Sequence, residues 1–452
     1  MNGTEERPLP DGWTWTTLGE IANPERDRVN PQNYGHLPFI GMDDVQSETM
    51  RLIGTKPSTE MKSLAEHFMP DDVLYGSLRP YLNKIYHADF EGLCSAEFII
   101  FRKTPQLVSK YLQYFLNQWS FVAFINKQNT GDRPRVKFGQ MADYPFPLAP
   151  LPEQERIVAE IEKQFTRLDQ AVAGLLRLQN NLARYKASVL KAACNGRLVP
   201  QDPNDEPAAE LLARILAERR AQWQAAHPGK KYQEPVGVGE GTAVLPALPD
   251  GWVWASWDQL SPRVTVGHVG PMKDEYIDDG IPFLRGQNVR ENRFDPEGLK
   301  FISPKFDEQL SKSQLKPGDI VVIRSGSVGV TCVIPETLQH ANCSDLVIIQ
   351  KPPHFVSEYG AYYMNSLAKR LVRAGQVGVA LIHFNTKSVA ALPIPLPPLA
   401  EQKRIVAEVE RRLSVVAATE QAITTNLARA ERLRQSILHR AFTGQLVPQD
   451  SG

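Results

Sequence analysis

Two stretches of the chain contain no proline and carry apolar residues mostly at steps of three, four and seven, the pattern of a single stripe along a helix. The first runs from Glu153 to about Ala193, with Ile157, Ile161, Phe165, Leu168, Val172, Leu175, Leu182, Tyr185 and Val189 on the stripe. The second carries Ile405, Val409, Leu413, Val416, Ile423, Leu427, Leu433 and Ile437. Each helix is about 40 residues, roughly 60 Å at 1.5 Å per residue. A stripe of that length suits an equally long partner, and the other stretch is the natural one; two separate surface helices, each packed on its own domain, are the alternative. Proline-rich lead-ins (Pro145–Pro152 and Pro393–Pro398) stop the preceding segments. Glu153 and Glu401 suit the positive helix start, and Lys191, His439 and Arg440 suit the negative end. Gly196 and Gly444 offer left-handed C-terminal caps.

Elsewhere the apolar runs are short. Val73–Tyr75, Phe98–Phe101, Ile320–Ile323 and Leu346–Ile349 read as buried strands. Lys110–Ile125 and Ser357–Arg373 read as helices rich in aromatics, and Ala208 to about Ala226 as a further helix with Leu211, Leu212, Ile215, Leu216 and Trp223 on one side. The Gly-rich stretch Val236–Gly241 reads as a flexible linker.

The same words recur in the same order. Leu9-Pro-Asp-Gly-Trp13 returns as Leu248-Pro-Asp-Gly-Trp252, and Pro38-Phe39 with Val45 returns as Pro282-Phe283 with Val289. Pro70-x-Asp72 returns as Pro317-x-Asp319, and Glu153-Gln-x-Arg-Ile-Val-Ala-Glu160 as Glu401-Gln-x-Arg-Ile-Val-Ala-Glu408. Gly196-x-Leu-Val-Pro-Gln-Asp202 returns as Gly444-x-Leu-Val-Pro-Gln-Asp450. The offset between copies never reverses along the chain, as expected of a duplicated module with loop insertions. The segments are then 1–150 globular, 151–202 helical, 203–247 a further helix and linker, 248–398 globular, and 399–452 helical.

Composition adds limits. With 452 residues, 42% hydrophobic and 23% charged, the chain is globular and multi-domain. No window approaches the ~20 apolar residues of a membrane span, and Met1–Pro10 lacks an apolar signal core, so a cytoplasmic protein is expected. Cys94, Cys194, Cys332 and Cys343 have neither metal-site nor disulfide-framework spacing and read as buried or idle thiols. The net charge is zero, so any phosphate-binding surface must be local. Pro38–Tyr75 is acidic, with seven Asp or Glu against three Lys or Arg. Arg79–Lys137 is basic, nine against four, as is Lys312–Lys387, eight against four.

Sharper clusters lie inside the basic stretches and beside them: Ser77, Arg79, Tyr81 and Lys84; Arg133, Arg135 and Lys137; Arg285, Gln287, Asn288 and Arg290; Arg324, Ser325 and Ser327; His383, Asn385 and Lys387. Arg pairs bidentately with guanine edges, Asn and Gln with adenine, and Lys, Ser and Thr hold phosphates. These seventeen positions are the candidate DNA contacts; as single residues they are equally well solvated loop polarity. Walker A, dinucleotide, His-Glu-x-x-His and Gly-x-Ser-x-Gly motifs are absent. Lys351-Pro-Pro-His354 lacks the leading amide or acid of an amino-methyltransferase. Pro249-Asp250 with Glu401-Gln-Lys403 matches a nuclease only in letters, because the latter opens a long helix.

The paired Leu-Pro-x-Gly-Trp openings, the Pro-rich lead into Glu-Gln-x-Arg-Ile-Val and the Gly-x-Leu-Val-Pro-Gln-Asp endings resemble the conserved regions of Type I restriction-modification specificity subunits. Asp205-Glu-Pro-Ala208, Lys230-Lys-Tyr232 and Asp72–Lys84 add to that resemblance, which covers nearly the whole chain. It implies an α+β fold: two globular target-recognition domains separated by a long antiparallel two-helix coiled coil, related by a pseudo-twofold internal duplication. Each half would read one half of a split, asymmetric double-stranded DNA site, and the helices would set the spacer. The helices' outer faces would dock two modification (methyltransferase) subunits, which would carry S-adenosylmethionine and methylate adenine; restriction subunits would join these. This chain would hold no cofactor and perform no catalysis. Two other readings stand beside it: a stand-alone DNA enzyme, which would itself bind S-adenosylmethionine, and a coiled-coil adaptor without DNA affinity.

Overall fold

The computed structural model describes residues 8–22, 24–128, 131–238, 245–368 and 385–449. The chain forms two units, Met1–Arg177 with Ala422–Gly452, and Leu178–Gln421. The five segments read from the sequence are thus grouped differently, because each unit takes part of both long helices.

The helices span Leu151–Cys194 and Leu399–Ala441. In the first unit Ile157, Ile161 and Phe165 enter one core with Ile437, Leu438, Ala441 and Phe442. The Arg434 guanidinium lies 4.4 Å above the Phe165 ring and pairs with Asp169. In the second unit Val189 and Ala193 share a core with Ile405, Val406 and Val409, and Lys186 Nζ lies 2.7 Å from Glu420. Within each unit, then, the helices run antiparallel. Two stripe positions read from the sequence are corrected: Tyr185 and Leu433 are 42% and 48% exposed. A two-helix seam is narrower than the stripe a globular core would cover, so flanking positions face solvent.

Both helices end as their glycines require. Gly196 and Gly444 have φ of +64° and +70°. The following amides, Arg197 and Gln445, donate to Ala192 O and Arg440 O at 2.9 and 2.8 Å, closing a left-handed cap. A Cβ at Gly196 would collide with Pro249, and one at Gly444 with Pro10. The tail of each helix is therefore seated on the Leu-Pro-Asp-Gly-Trp opening of the other copy.

Those openings are turns in which Gly12 and Gly251 take φ of +81° and +77° and the Trp amide closes on the proline carbonyl at 3.2 Å. Each turn aims an indole at the start of a long helix. Trp13 Nε1 donates to Glu153 at 3.0 Å, and Trp252 Nε1 to Glu401 at 2.9 Å. Gln154 accepts from Val108 N at 2.8 Å and donates to Ala149 O at 2.8 Å; Gln402 does the same with Val356 N and Pro397 O, at 2.9 Å each. Tyr111 and Tyr359 donate to Pro147 O and Pro395 O, both at 2.9 Å. Those prolines belong to short strands, Pro145–Leu148 and Pro393–Leu396, paired with Thr14–Thr17 and Val253–Ser256.

In the first unit a five-stranded sheet runs Arg28–Val29, Ala65–Phe68, Gly92–Ser95, Pro38–Ile40, Lys56–Pro57, and a three-stranded sheet runs Ile85–His87, Val73–Gly76, Phe98–Phe101. The second unit repeats the design with a five-stranded sheet centred on Ile281–Leu284 and a four-stranded one containing Ile320–Ile323 and Leu346–Ile349. In both, the Pro-Phe strand makes one parallel pairing, with Gly92–Ser95 or Ala341–Cys343. The four apolar runs are fully buried strands.

The helix expected over Lys110–Ile125 is broken into Ser109–Leu116 and Trp119–Lys127. Gln435 of the second long helix explains the break, accepting from Trp119 N at 2.9 Å and donating to Asn117 O at 3.1 Å. A distant side chain thus supplies the backbone partners that a continuous helix would have used. In the other copy, Ser357–Tyr363 passes into a π-turn at Met364–Ala368, and 369–373 lie outside the described residues. The helix Ala208–Ala226 is present; the expected linker is corrected at Val236, whose N–H donates to Asp258 and whose carbonyl accepts from Ser256, and 239–241 lie outside the described residues. All four cysteines are free and buried, with burial pushing the Cys194 and Cys332 thiols up to about 12.

Burial holds the Glu401 carboxyl above the usual range, partly offset by the Trp252 hydrogen bond. A folded-state value above the unfolded one means the folded chain binds the proton more tightly. The stability due to Glu401 is therefore full below the ordinary glutamate range and declines as pH rises to the raised value. Glu401→Gln, which keeps an acceptor for the indole, should flatten the pH dependence of stability over that window in urea titrations followed by tryptophan fluorescence. Trp252→Phe strands the buried carboxylate and should cost about 1–3 kcal/mol.

Candidate nucleic-acid interface

In the first unit the strand Val73–Gly76 runs into a loop from Ser77 to Asn83. Arg79 and Asn83 adopt left-handed backbone, with φ of +52° and +42°. The loop is pinned from outside: Arg79 N donates to Pro134 O at 2.8 Å and Val136 N to Ser77 O at 3.0 Å. The two basic clusters, some fifty residues apart in sequence, are therefore one surface, joined by the Leu78–Arg135 bridge. Arg79, Tyr81, Arg133, Arg135 and Lys137 are exposed on it.

Three members are partly committed to the fold. Ser77 Oγ donates to Glu97 O at 2.5 Å, Lys84 Nζ to Met42 O at 2.6 Å, and Arg135 to the Glu97 carboxylate at 2.5 Å. Arg79, Tyr81, Arg133 and Lys137 are left as the groups best placed to meet a ligand. Glu97, half-buried beside them, tempers the field, because a carboxylate repels phosphate.

In the second unit the equivalent strand, Ile320–Ile323, leads to Arg324 and Ser325. Both face Asp345, at 3.2 Å from the guanidinium and 3.1 Å from the hydroxyl. Ser344 N donates to Leu284 O at 3.0 Å, which ties this loop to the turn that carries Arg285. Arg285 and Gln287 both donate to Gly298 O, at 2.8 and 3.1 Å. Arg290 Nε lies 3.1 Å from Asp295. Ser327 and Lys387 are exposed.

One candidate is corrected in kind, one doubles as a helix cap, and one cannot be placed. Asn288 is fully buried: its Oδ1 accepts from Arg285 N at 3.0 Å, and its Nδ2 donates to Asp295 O and Glu297 O. It is the counterpart of Asp44, which accepts from Gly41 N at 2.7 Å in the first copy. The side chain closes a turn and has no edge left for a base. Asn385 caps the short helix Thr386–Ala390 by accepting from Ser388 N at 2.9 Å. The cap engages its side-chain oxygen, and the residue remains exposed. His383 lies outside the described residues.

Sequence reading missed Tyr276, whose ring has Arg285 at 5.8 Å and Lys300 at 5.9 Å. It also missed Arg293, 69% exposed and 3.8 Å from Asp295. A ring that gathers two cations concentrates positive charge on this surface, which suits phosphate. No motif marks it, because strand pairing between Tyr276–Ile277 and Lys300–Ile302 assembles it.

The chain matches the family described as Type I restriction modification DNA specificity domain over residues 10–173 and 270–427. The chain belongs to the Type I restriction-modification DNA specificity family. Among specificity-family relatives, it is 27% identical to the specificity subunit of the Type I restriction enzyme EcoAI of Escherichia coli, over 90% of this chain and 78% of that one. It is 24% identical to the EcoEI specificity subunit of the same organism, over 90% and 79%. A chain from a type I restriction-modification system, solved in work on complex assembly and conformational transition, shares the fold with a TM-score of 0.68 and 22% identity. The match covers 97% of this chain and 100% of that one. The HsdS subunit of Thermoanaerobacter tengcongensis shares it at 0.56 and 22%, over 98% and 99%. As a specificity subunit, the chain belongs to the non-catalytic part of such enzymes. Among the described residues no helix is long and apolar enough to cross a membrane, and no three His, Cys, Asp or Glu are grouped to hold a metal.

The contrast between loop and frame residues is testable. Arg79→Ala should weaken duplex binding by the assembled complex roughly five- to hundred-fold, the ~1–3 kcal/mol of a bidentate base contact, in fluorescence anisotropy. Asn288→Ala should instead lower stability by about 1–3 kcal/mol in denaturant titrations, because it orphans buried turn groups.

Proposed function

We propose that each globular half of this specificity subunit reads one half of a bipartite, asymmetric site in double-stranded DNA. The two long helices set the unread spacer and dock two modification subunits, with restriction subunits joining that core. One observation carries the reading. The frame residues make the same bonds in both copies, as in Trp13–Glu153 and Trp252–Glu401, while the loops after equivalent strands present different side chains, Arg79 and Tyr81 against Arg324 and Ser325. A preserved frame under divergent loops suits two readers of different half-sites on one scaffold.

In this reading the first half contacts DNA through Arg79, Tyr81, Arg133 and Lys137. The second uses Arg285, Gln287, Arg290, Arg324, Ser325, Ser327, Asn385 and Lys387, with Tyr276, Lys300 and Arg293 beside them. Ser77, Lys84 and Arg135 shape the first surface. S-adenosylmethionine is bound by the modification subunits and adenine is methylated there; this chain holds no cofactor and works in the cytoplasm.

If the helices act as a ruler, inserting one helical turn beside Gly174, where a Cβ would meet nothing within 4 Å, changes the spacer. Methylome sequencing of cells expressing that variant with its modification subunit should show both half-sites unchanged and the distance between them altered. An unaltered spacer would refute the ruler.

A further inference from the structure

The repeat includes one word that sequence reading passed over. Tyr111-x-x-Tyr-Phe-Leu-Asn117 returns as Tyr359-x-x-Tyr-Tyr-Met-Asn365, at the same spacing that relates Gln154 to Gln402. Its last residue is an amide at the end of an aromatic run, and both copies bury it, Asn117 at 2% and Asn365 at 7% exposure. In each unit the helix loses its regular course at this residue. Ser109–Leu116 ends there, and Ser357–Tyr363 passes into the π-turn Met364–Ala368. Such turns gather at functional sites.

In the second unit the amide is shared between two segments. Asn365 Oδ1 accepts from Thr331 N at 3.0 Å, and its Nδ2 donates to Thr331 O at 2.7 Å and to Asn292 Oδ1 at 2.8 Å. Thr331 opens the edge strand Thr331–Val333, on which the loop carrying Arg324, Ser325 and Ser327 returns. Asn292 is at the tip of the hairpin that pairs Val289–Arg290 with Arg293–Phe294. Its backbone is left-handed, with φ of +59°, and its N–H donates to Thr331 O at 2.9 Å. One buried side chain thus holds together the hairpin of Arg290 and Arg293 and the loop of Arg324. In the first unit Glu48 is the hairpin counterpart of Asn292, with φ of +63°, and its N–H donates to Asn83 O at 3.2 Å, at the return of the loop that carries Arg79 and Tyr81. Asn83 Nδ2 donates in turn to Asn117 Oδ1 at 2.6 Å. This latch is leaner, because Asn83 Oδ1 and Asn117 Nδ2 have no partner among the described residues.

We propose that Asn365, with Asn117 as its counterpart, is a positioning residue for base reading. It fixes the loop and the hairpin of one recognition surface in a single relative placement, so that the side chains they carry meet the same stretch of DNA together. The proposal rests on the reading of those loops as DNA contacts. Tyr359, Tyr363 and Met364 beside Asn365 belong to an apolar core, and a buried amide among them adds little net stability over an apolar side chain. What it supplies is geometry. A hydrogen-bonded network specifies one arrangement where apolar packing tolerates several. Base reading is sensitive to that arrangement, because binding groups must be held within about 0.5 Å of their productive positions.

The test uses the chain assembled with its modification subunits. Its duplexes carry the site found by methylome sequencing, or that site with one base pair changed in either half. Asn365→Ala removes the latch outright. Asn292→Gly removes only the acceptor of Asn365 Nδ2 and keeps a residue suited to positive φ, so it decides alone if Asn365→Ala does not fold. Both should lower discrimination against changes in one half-site roughly three- to tenfold, the worth of a lost hydrogen bond, and leave the other half-site as before. Arg324→Ala should lower discrimination in that same half-site. Thermal unfolding reports the fold of each variant. Folded Asn292→Gly with full discrimination, beside an Arg324→Ala that loses it, overturns the latch and leaves the reading of the loops standing. Arg324→Ala with full discrimination overturns that reading, and the latch with it. An Asn365→Ala that is less stable yet reads both half-sites as before assigns the residue to the fold alone and overturns the proposal.

Discussion

The buried carboxylates of Glu153 and Glu401, each held by an indole N–H at the first turn of a long helix, are the joints on which the fold turns. A carboxylate at a helix start gains from the helix dipole, but burying it demands a donor. The Leu-Pro-Asp-Gly-Trp turn exists to deliver that donor. The same turn receives the capped tail of the other copy's helix, through Pro10 against Gly444 and Pro249 against Gly196. Each unit is thereby closed by one copy's head and the other copy's tail, and neither copy completes a core alone.

That joint explains the distribution of freedom along the chain. Residues that bond across it (Trp13, Tyr111, Glu153, Gln154 and their second-copy counterparts) make the same contacts twice, at distances equal within a tenth of an ångström. The loops beyond the strands Val73–Gly76 and Ile320–Ile323 are anchored at their bases by backbone bonds and leave their tips to solvent. Tip residues such as Arg79 are unconstrained by packing, and so can differ between the copies without cost to the core. Polar residues at the base are not free in this way. Asn288 has the chemistry of a base reader and spends it on closing the turn that holds Arg285.

The sequence by itself determined the duplication, the two long helices with their ends, the four buried strands and the family, since each is written in local periodicity or in exact repetition. Helix caps and strand burial depend on near neighbours, so Gly196, Gly444 and the Ile320–Ile323 run could be read directly. Tertiary structure alone decided the rest. The break at Asn117–Gln118 depends on Gln435, more than three hundred residues away, which supplies hydrogen bonds no local pattern announces. The union of the Arg79 and Arg133 loops depends on backbone pairing across fifty residues, and the Tyr276 platform on a strand register. The exposure of Tyr185 and Leu433 follows from the narrowness of a two-helix seam, which a one-dimensional stripe overstates. Periodicity tells a residue which side of its own helix it is on; only the partner decides how much of that side is covered.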